Sequence, residues 1–218
     1  MLHPPATMSA DKHLNALFDA DRAAHQAEAT LLEENDDKTL QSTLADAVDE
    51  ALGLDDEAEA AMRLSRLADL CAQVQGAKLA DALIRILGFE DNSVRVSAGE
   101  ALRDFAYDRY AEVARAIERA LEKEVEGPAL EELPWVLAEV GEPSAVPLIA
   151  SFLEHEDPQV VASGIEALAE LGDPGAAKPL SALKNDGRVV QLEEGDVTHS
   201  ATLGELAEEA LAELGDDD

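Results

Sequence analysis

Val160-Val161-Ala162-Ser163-Gly164-Ile165-Glu166-Ala167-Leu168-Ala169-Glu170-Leu171-Gly172 is the stretch on which the fold of this chain turns. It returns in altered form as VRVSAGEALRDFA at 94–106, ALEELPWVLAEVG at 129–141 and LGELAEEALAELG at 203–215. Aligned, the copies share apolar columns. The first is Val94, Ala129, Val160 and Leu203, and the second Ala98, Leu133, Gly164 and Ala207. Three more follow, at Ala101, Leu102 and Phe105 of the first copy and the matching positions of the others. The offsets trace one stripe of a helix with a 3.6-residue period, not the alternation of a strand. Small residues in the second and third columns predict close approach of a neighbouring helix. Gly141, Gly172 and Gly215 follow the last column, where a left-handed residue ends a helix.

A second amphipathic segment precedes the copies. Leu79–Leu87 leads through a short polar turn to the first, and Ala145–Leu153 leads to the third. Asp91 and Asp157 stand where N-caps belong, and Pro158 suits a first helical position. Each unit is helix, turn, helix, and repetition at such a period predicts a stacked array.

Two surrounding regions depart from the pattern. In the N-terminal direction, residues 1–8 read as disordered. Ser9 is placed to cap a helix running to about Leu32, whose thin apolar face (Leu14, Leu17, Phe18, Leu31) is expected to pack on the array. Residues 37–76 read as a degenerate capping repeat, with Leu40, Leu44, Val48 and Leu52 in one helix. The stripe of its partner helix is read as Arg63, Leu67, Leu70, Cys71 and Val74. In the last unit, extra residues between Asn185 and His199 hold two β-prone runs around a glycine-containing turn, which predicts a short hairpin insertion near 188–199. The expected organisation is a tail and helix over 1–36, the capping repeat over 37–76, four repeats over 77–215 and an acidic tail at 216–218.

The pattern Asp91-x-x-Val94-Arg95-x-x-Ala98-x-x-Ala101-Leu102 resembles the HEAT repeat, in particular the short HEAT-like repeats of phycobilisome lyases. Gly141-Glu142-Pro143 with Pro147-Leu148, and Gly172-Asp173-Pro174 with Pro179-Leu180, resemble its inter-repeat turn. The resemblance spans about 77–215 and implies an all-α fold, an α-solenoid of HEAT-like helix pairs. It also implies a binding scaffold rather than a catalyst, with the second helices lining a groove.

The chain carries a formal charge of −32. The first 109 residues hold ten Lys and Arg against 22 Asp and Glu, and the remainder six against 26, so the excess is distributed. Two readings of it stay open: a solvated acidic surface, or a surface for basic partners. Direct nucleic-acid binding is disfavoured, because phosphate neutralisation needs Lys and Arg. No apolar run suggests a membrane span, and no basic region followed by an apolar stretch marks a signal peptide. A cytoplasmic location is expected. The single Cys71 lies in a stripe and reads as a buried thiol.

No phosphate loop, nucleophile elbow or dinucleotide fingerprint occurs. The five histidines form no familiar metal spacing. HEAT-type iron hydroxylases place His-Glu pairs on several repeat helices, whereas here His155-Glu156 stands alone in a turn. No catalytic residue, metal or cofactor is expected. The polar columns are more informative: Glu100, Trp135, Glu166 and Glu209, then Asp104, Glu139, Glu170 and Glu213, with Asp69 added to the first from the capping repeat. They are four residues apart and share one helix face. The candidate binding face is therefore Trp135 with Glu100, Asp104, Glu131, Glu139, Glu166 and Glu170. Trp135, the only tryptophan, reads either as an exposed anchor for a protein or peptide, or as a ring covered within the chain, with Pro134 as a possible kink. The expected partner is another protein with a basic surface. A lyase-like or other enzyme auxiliary and an acidic nucleic-acid mimic are the alternatives.

Overall fold

The structure is a computed structural model that describes residues 10–123, 128–141, 145–194 and 197–216. The expectations for residues 1–8, for Ser9, for Glu142-Pro143, for the tip of the hairpin at 195–196 and for the acidic tail at 217–218 lie outside the described residues. The chain divides into two units, residues 1–40 and 41–218.

The first unit holds helix α1 (Ala10–Glu34) and the start of α2 (Asp37–Leu52). No residue of α1 is buried, and Leu14, Leu17 and Phe18 are 50%, 63% and 49% exposed. Five leucine or phenylalanine residues in 25 do not make the wide apolar stripe that core-facing helices carry. Asp36 starts α2, accepting hydrogen bonds from the Thr39 amide at 3.0 Å and the Thr39 hydroxyl at 3.1 Å.

The second unit is an α-solenoid of HEAT-like helix pairs. After α2 come α3 (Glu57–Gln73), α4 (Ala77–Leu87), α5 (Asn92–Glu122), α6 (Ala129–Val140), α7 (Ala145–Phe152), α8 (Pro158–Leu171), α9 (Ala177–Ala182) and α10 (Leu203–Asp216). An aspartate opens three of these helices and the 3-10 turn Pro174–Ala176 that leads into α9. Asp56 accepts from the Ala58 and Glu59 amides, Asp91 from Ser93 and Val94, Asp157 from Gln159 and Asp173 from Gly175. Each carboxylate satisfies amides that have no partner inside the helix. Gly141 and Gly172 close α6 and α8 in the left-handed conformation, at φ 64° and 65°. Gly215 does not act this way, because α10 continues through it to Asp216.

The apolar columns are the core. Phe105, Leu102, Leu133, Leu137, Ile149 and Phe152 are among the side chains fully withdrawn from water. Gly164, in the second column, permits close approach within its pair. A Cβ there would sit 3.1 Å from Leu153 Cδ2 and 3.3 Å from Phe152 Cβ.

Two pairs share one helix. α5 contains the last helix of one pair and the first of the next, joined at Arg109, whose φ of −140° and ψ of 40° break the helix without a loop. The Arg109 guanidinium stacks on the Phe105 ring at 3.9 Å and donates to the Val74 and Ala72 carbonyls at 3.1 and 3.0 Å. It thus caps the C-terminal end of α3, where carbonyls lack in-helix donors and a cation is favoured.

The capping stripe is corrected by burial. In α3 the buried residues are Ala60, Leu64, Ala68, Leu70 and Cys71, whereas Arg63 is exposed and Leu67 only half-buried. Ala60, Leu64, Ala68 and Cys71 have the column spacing, so the expected phase was three residues late. Arg63 was admitted as an apolar position on spacing alone, while two alanines of the true stripe carried too little hydrophobic signal. Arg66, not Asp69, then stands in the polar column.

Between α9 and α10 the expected hairpin is present. Strands β1 (Val189–Glu194) and β2 (Val197–Thr202) pair antiparallel, with Val189 opposite Thr202 and Leu192 opposite His199. Arg188 holds its base by donating to the Asp186 carboxylate at 2.7 Å and to the His155 carbonyl at 2.8 Å. Thr202 and Glu205 form a capping box into α10: the Thr202 amide donates to Glu205 Oε2 at 2.8 Å, and the Glu205 amide to Thr202 Oγ1 at 3.2 Å.

Candidate binding face

The second helices of successive pairs are the first half of α5, then α6, α8 and α10, and the polar columns lie along them. The structure gathers these residues into two recesses of different character.

The first is a slot of about 190 Å³ between α5 and α6. Its floor includes Leu87, Gly99 and Val136, and Trp135 lines it beside Val96. Trp135 is half-buried, between the exposed anchor and the covered ring that its sequence position allows. Pro134 beside it is buried inside α6, and the helix continues past it to Val140. Glu100 and Glu139 reach this slot, together with Glu132. Two arginines outside the predicted face enter as well. Arg103 pairs with Glu139, and Arg95 Nε lies 3.5 Å from Glu132. Arg95 is further held by donating to the Glu90 carbonyl at 2.7 Å and to Asn92 Oδ1 at 3.1 Å. The carboxylate row is therefore largely neutralised here.

The second recess is a groove of about 780 Å³ between α8 and α10, with the hairpin as its wall. Glu166 and Glu170 line it from α8, Glu209 and Glu213 from α10, and Gln191, Leu192 and His199 from the hairpin. Ile165, Ala169, Leu206 and Ala210 supply apolar lining. Among the described residues, none of these four glutamates forms an ion pair. Burial pushes the Glu166 carboxyl above its ordinary value of 4.5, since little water remains to solvate its charge. The hairpin leans on α8 through a 3.4 Å bond from Gln159 Nε2 to the Gln191 carbonyl.

Two candidates fall outside both recesses. Asp104 is exposed and lines neither. Glu131 is half-buried. Burial first, then the charges of Asp157 and Glu132, push its carboxyl upward. The contribution of Arg95 and Arg103 was missed because a column alignment ranks apolar and acidic positions and gives no weight to a cation in one copy. Glu209 and Glu213 were in the columns and become groove residues only because the hairpin closes that end.

Cys71 is buried, and that burial drives its thiol to about 12, far from a reactive thiolate. Among the described residues, no three His, Cys, Asp or Glu side chains come together as metal ligands, and no helix is long and apolar enough to cross a membrane. His155 Nδ1 instead accepts from the Asp157 amide at 3.1 Å, within its own turn.

Residues 130–194 match the family model of HEAT repeats. No curated protein matches the chain. Solved structures similar to it include an engineered protein from a structural genomics consortium, at 17% identity and a TM-score of 0.37, covering 87% of this chain and 96% of that one. Another is human deoxyhypusine hydroxylase in complex with glycerol, at 17% identity and a TM-score of 0.32, covering 92% of this chain and 99% of that one.

Proposed function

We propose that this array of helix pairs, with HEAT repeats at 130–194, is a non-catalytic scaffold that binds another protein or peptide on its second-helix face. A basic segment of the partner lies over the groove between α8 and α10, and Trp135 is an apolar anchor further along the face. HEAT repeats are generally protein-interaction scaffolds, and that general role supports the class. The observation that carries the acidic face is the set of four groove glutamates, none of which forms an ion pair among the described residues. Holding like charges together costs free energy in the isolated protein, and a cationic partner relieves that cost. The role suits the cytoplasm, where a single buried thiol meets no disulfide chemistry.

The test is capture of partners from the native host by the wild-type chain and by a variant with Glu166, Glu170, Glu209 and Glu213 all changed to Gln. A protein retained by the first and lost by the second, with binding that weakens as salt rises, supports the reading. Equal capture by both removes the acidic face. Displacement of the captured proteins by DNA would point to nucleic-acid mimicry, and a bound chromophore, metal or turnover in the purified protein would point to an enzyme auxiliary.

A further inference from the structure

The slot at Trp135 contains a glycine that the packing of the chain does not require. Gly99 lies inside α5, where glycine is destabilising relative to alanine. A Cβ built on it meets a single neighbour, Leu87 Cδ1 at 3.8 Å, which is ordinary van der Waals contact. Gly164 is the contrasting case, because there the neighbouring helix occupies the space. What the missing side chain leaves at Gly99 is open volume facing the Trp135 ring.

The charges around that volume do not cancel. Glu100, Glu132 and Glu139 line it with Arg95 and Arg103. Arg95 is matched with Glu132, and Arg103 with Glu139. Glu100 is left over, exposed and without an ion pair among the described residues. The slot thus offers an indole, an apolar floor and one unit of unmatched negative charge. At about 190 Å³ it is smaller than the roughly 300 Å³ at which cofactor and small-molecule sites begin. It has room for one long side chain.

We propose that this slot receives a single lysine or arginine side chain from a partner protein, its aliphatic stem on Gly99 and Trp135 and its cationic head toward Glu100. A cation held against an indole face gains from the ring quadrupole, and the stem buries apolar area that an ammonium alone would not. This deepens the scaffold reading and rests on it, by naming the group that the tryptophan contacts.

Trp135 is the only tryptophan, so its fluorescence reports the slot without a label. The probes are acetylated, amidated alanine pentapeptides with lysine, arginine or norleucine at the centre, titrated into the full chain at constant ionic strength. The expected result is a saturable change in emission with lysine or arginine and none with norleucine. Gly99→Leu, which fills the slot, should weaken that binding at least tenfold, and Glu100→Gln several-fold. Gly99→Ala should leave the melting temperature equal or higher, showing that the fold tolerates a side chain there. An equal response to norleucine, unchanged binding in Gly99→Leu, or no response to either basic peptide overturns the proposal. The four-glutamine variant separates the two readings: if it loses a basic partner while Trp135 reports nothing, the scaffold stands and the slot assignment falls.

Discussion

The slot between α5 and α6 and the groove between α8 and α10 are built from the same repeat columns and differ in how far their negative charge is offset. In the slot, Arg95 and Arg103 return most of the carboxylate charge, leaving Glu100. In the groove four glutamates line one recess and, among the described residues, form no ion pair, and Glu166 is partly desolvated as well. The repeat fixes where a side chain points; the identity of one residue per copy fixes whether that position attracts or repels. The slot is suited to reading a single group, while the groove is suited to drawing in a basic segment of several charges.

The largest effect should come from removing what separates the two regions structurally, the hairpin. Arg188→Ala loses the bonds to Asp186, His155 and Glu156. It should lower unfolding stability by about 2 to 3 kcal/mol, because hydrogen bonds made by charged groups contribute about that much. Urea denaturation checks it, and hydrogen exchange should locate the loss at 189–202. An unchanged midpoint would show that the wall stands without its arginine.

Next is binding. Changing the four groove glutamates to Gln should weaken a basic partner about tenfold, or 1.4 kcal/mol, mostly through slower association at low salt. Stopped-flow measurement at two ionic strengths decides this, and a loss confined to dissociation would sever the link to charge.

Single substitutions sharpen the contrast with opposite signs. Glu139→Gln breaks the pair with Arg103 and should lower stability by about 0.2 to 1 kcal/mol, the range for surface pairs. Glu166→Gln removes a half-buried charge that lacks a cation and should raise the melting temperature. Shifts of the same sign in both would show that the slot and the groove do not differ in this way.

The smallest effect is the pH response. Glu166 and Glu131 have folded values raised above 4.5, chiefly by burial. The folded state therefore holds their protons more tightly than the unfolded one. Their charged forms oppose folding at neutral pH, and stability gains as pH falls through the raised values toward 4.5. Asp36 and Asp91, held below 3.8 by their capping hydrogen bonds, act the other way. Their contribution is present above 3.8 and is lost as pH falls through the lowered values. Calorimetry should show melting temperature rising on mild acidification and then falling; in Glu166→Gln the rise should shrink.

Helix pairs, aspartate caps and the glycine ends of α6 and α8 were legible from residue order, since each depends on neighbours within about one turn. The hairpin was legible for the same reason, from β-prone runs around a turn. The phase of the capping repeat is hard to read because alanine, which fills two of the four stripe positions, marks a buried face only when a neighbour packs on it. The exposure of Trp135 stayed open at the level of residue order, because the residues that line the slot with it come from α5. Arg103 and Glu139 are 36 residues apart, and no local pattern connects them.

From the sequence alone came the array itself: a 3.6-residue periodicity repeated four times admits helices, and helices with one apolar stripe must stack to bury it. Tertiary structure alone decided which carboxylates stand free and which are matched. That choice depends on distances of a few ångströms between residues far apart in the chain, over which Coulomb energy varies steeply and local periodicity carries no information.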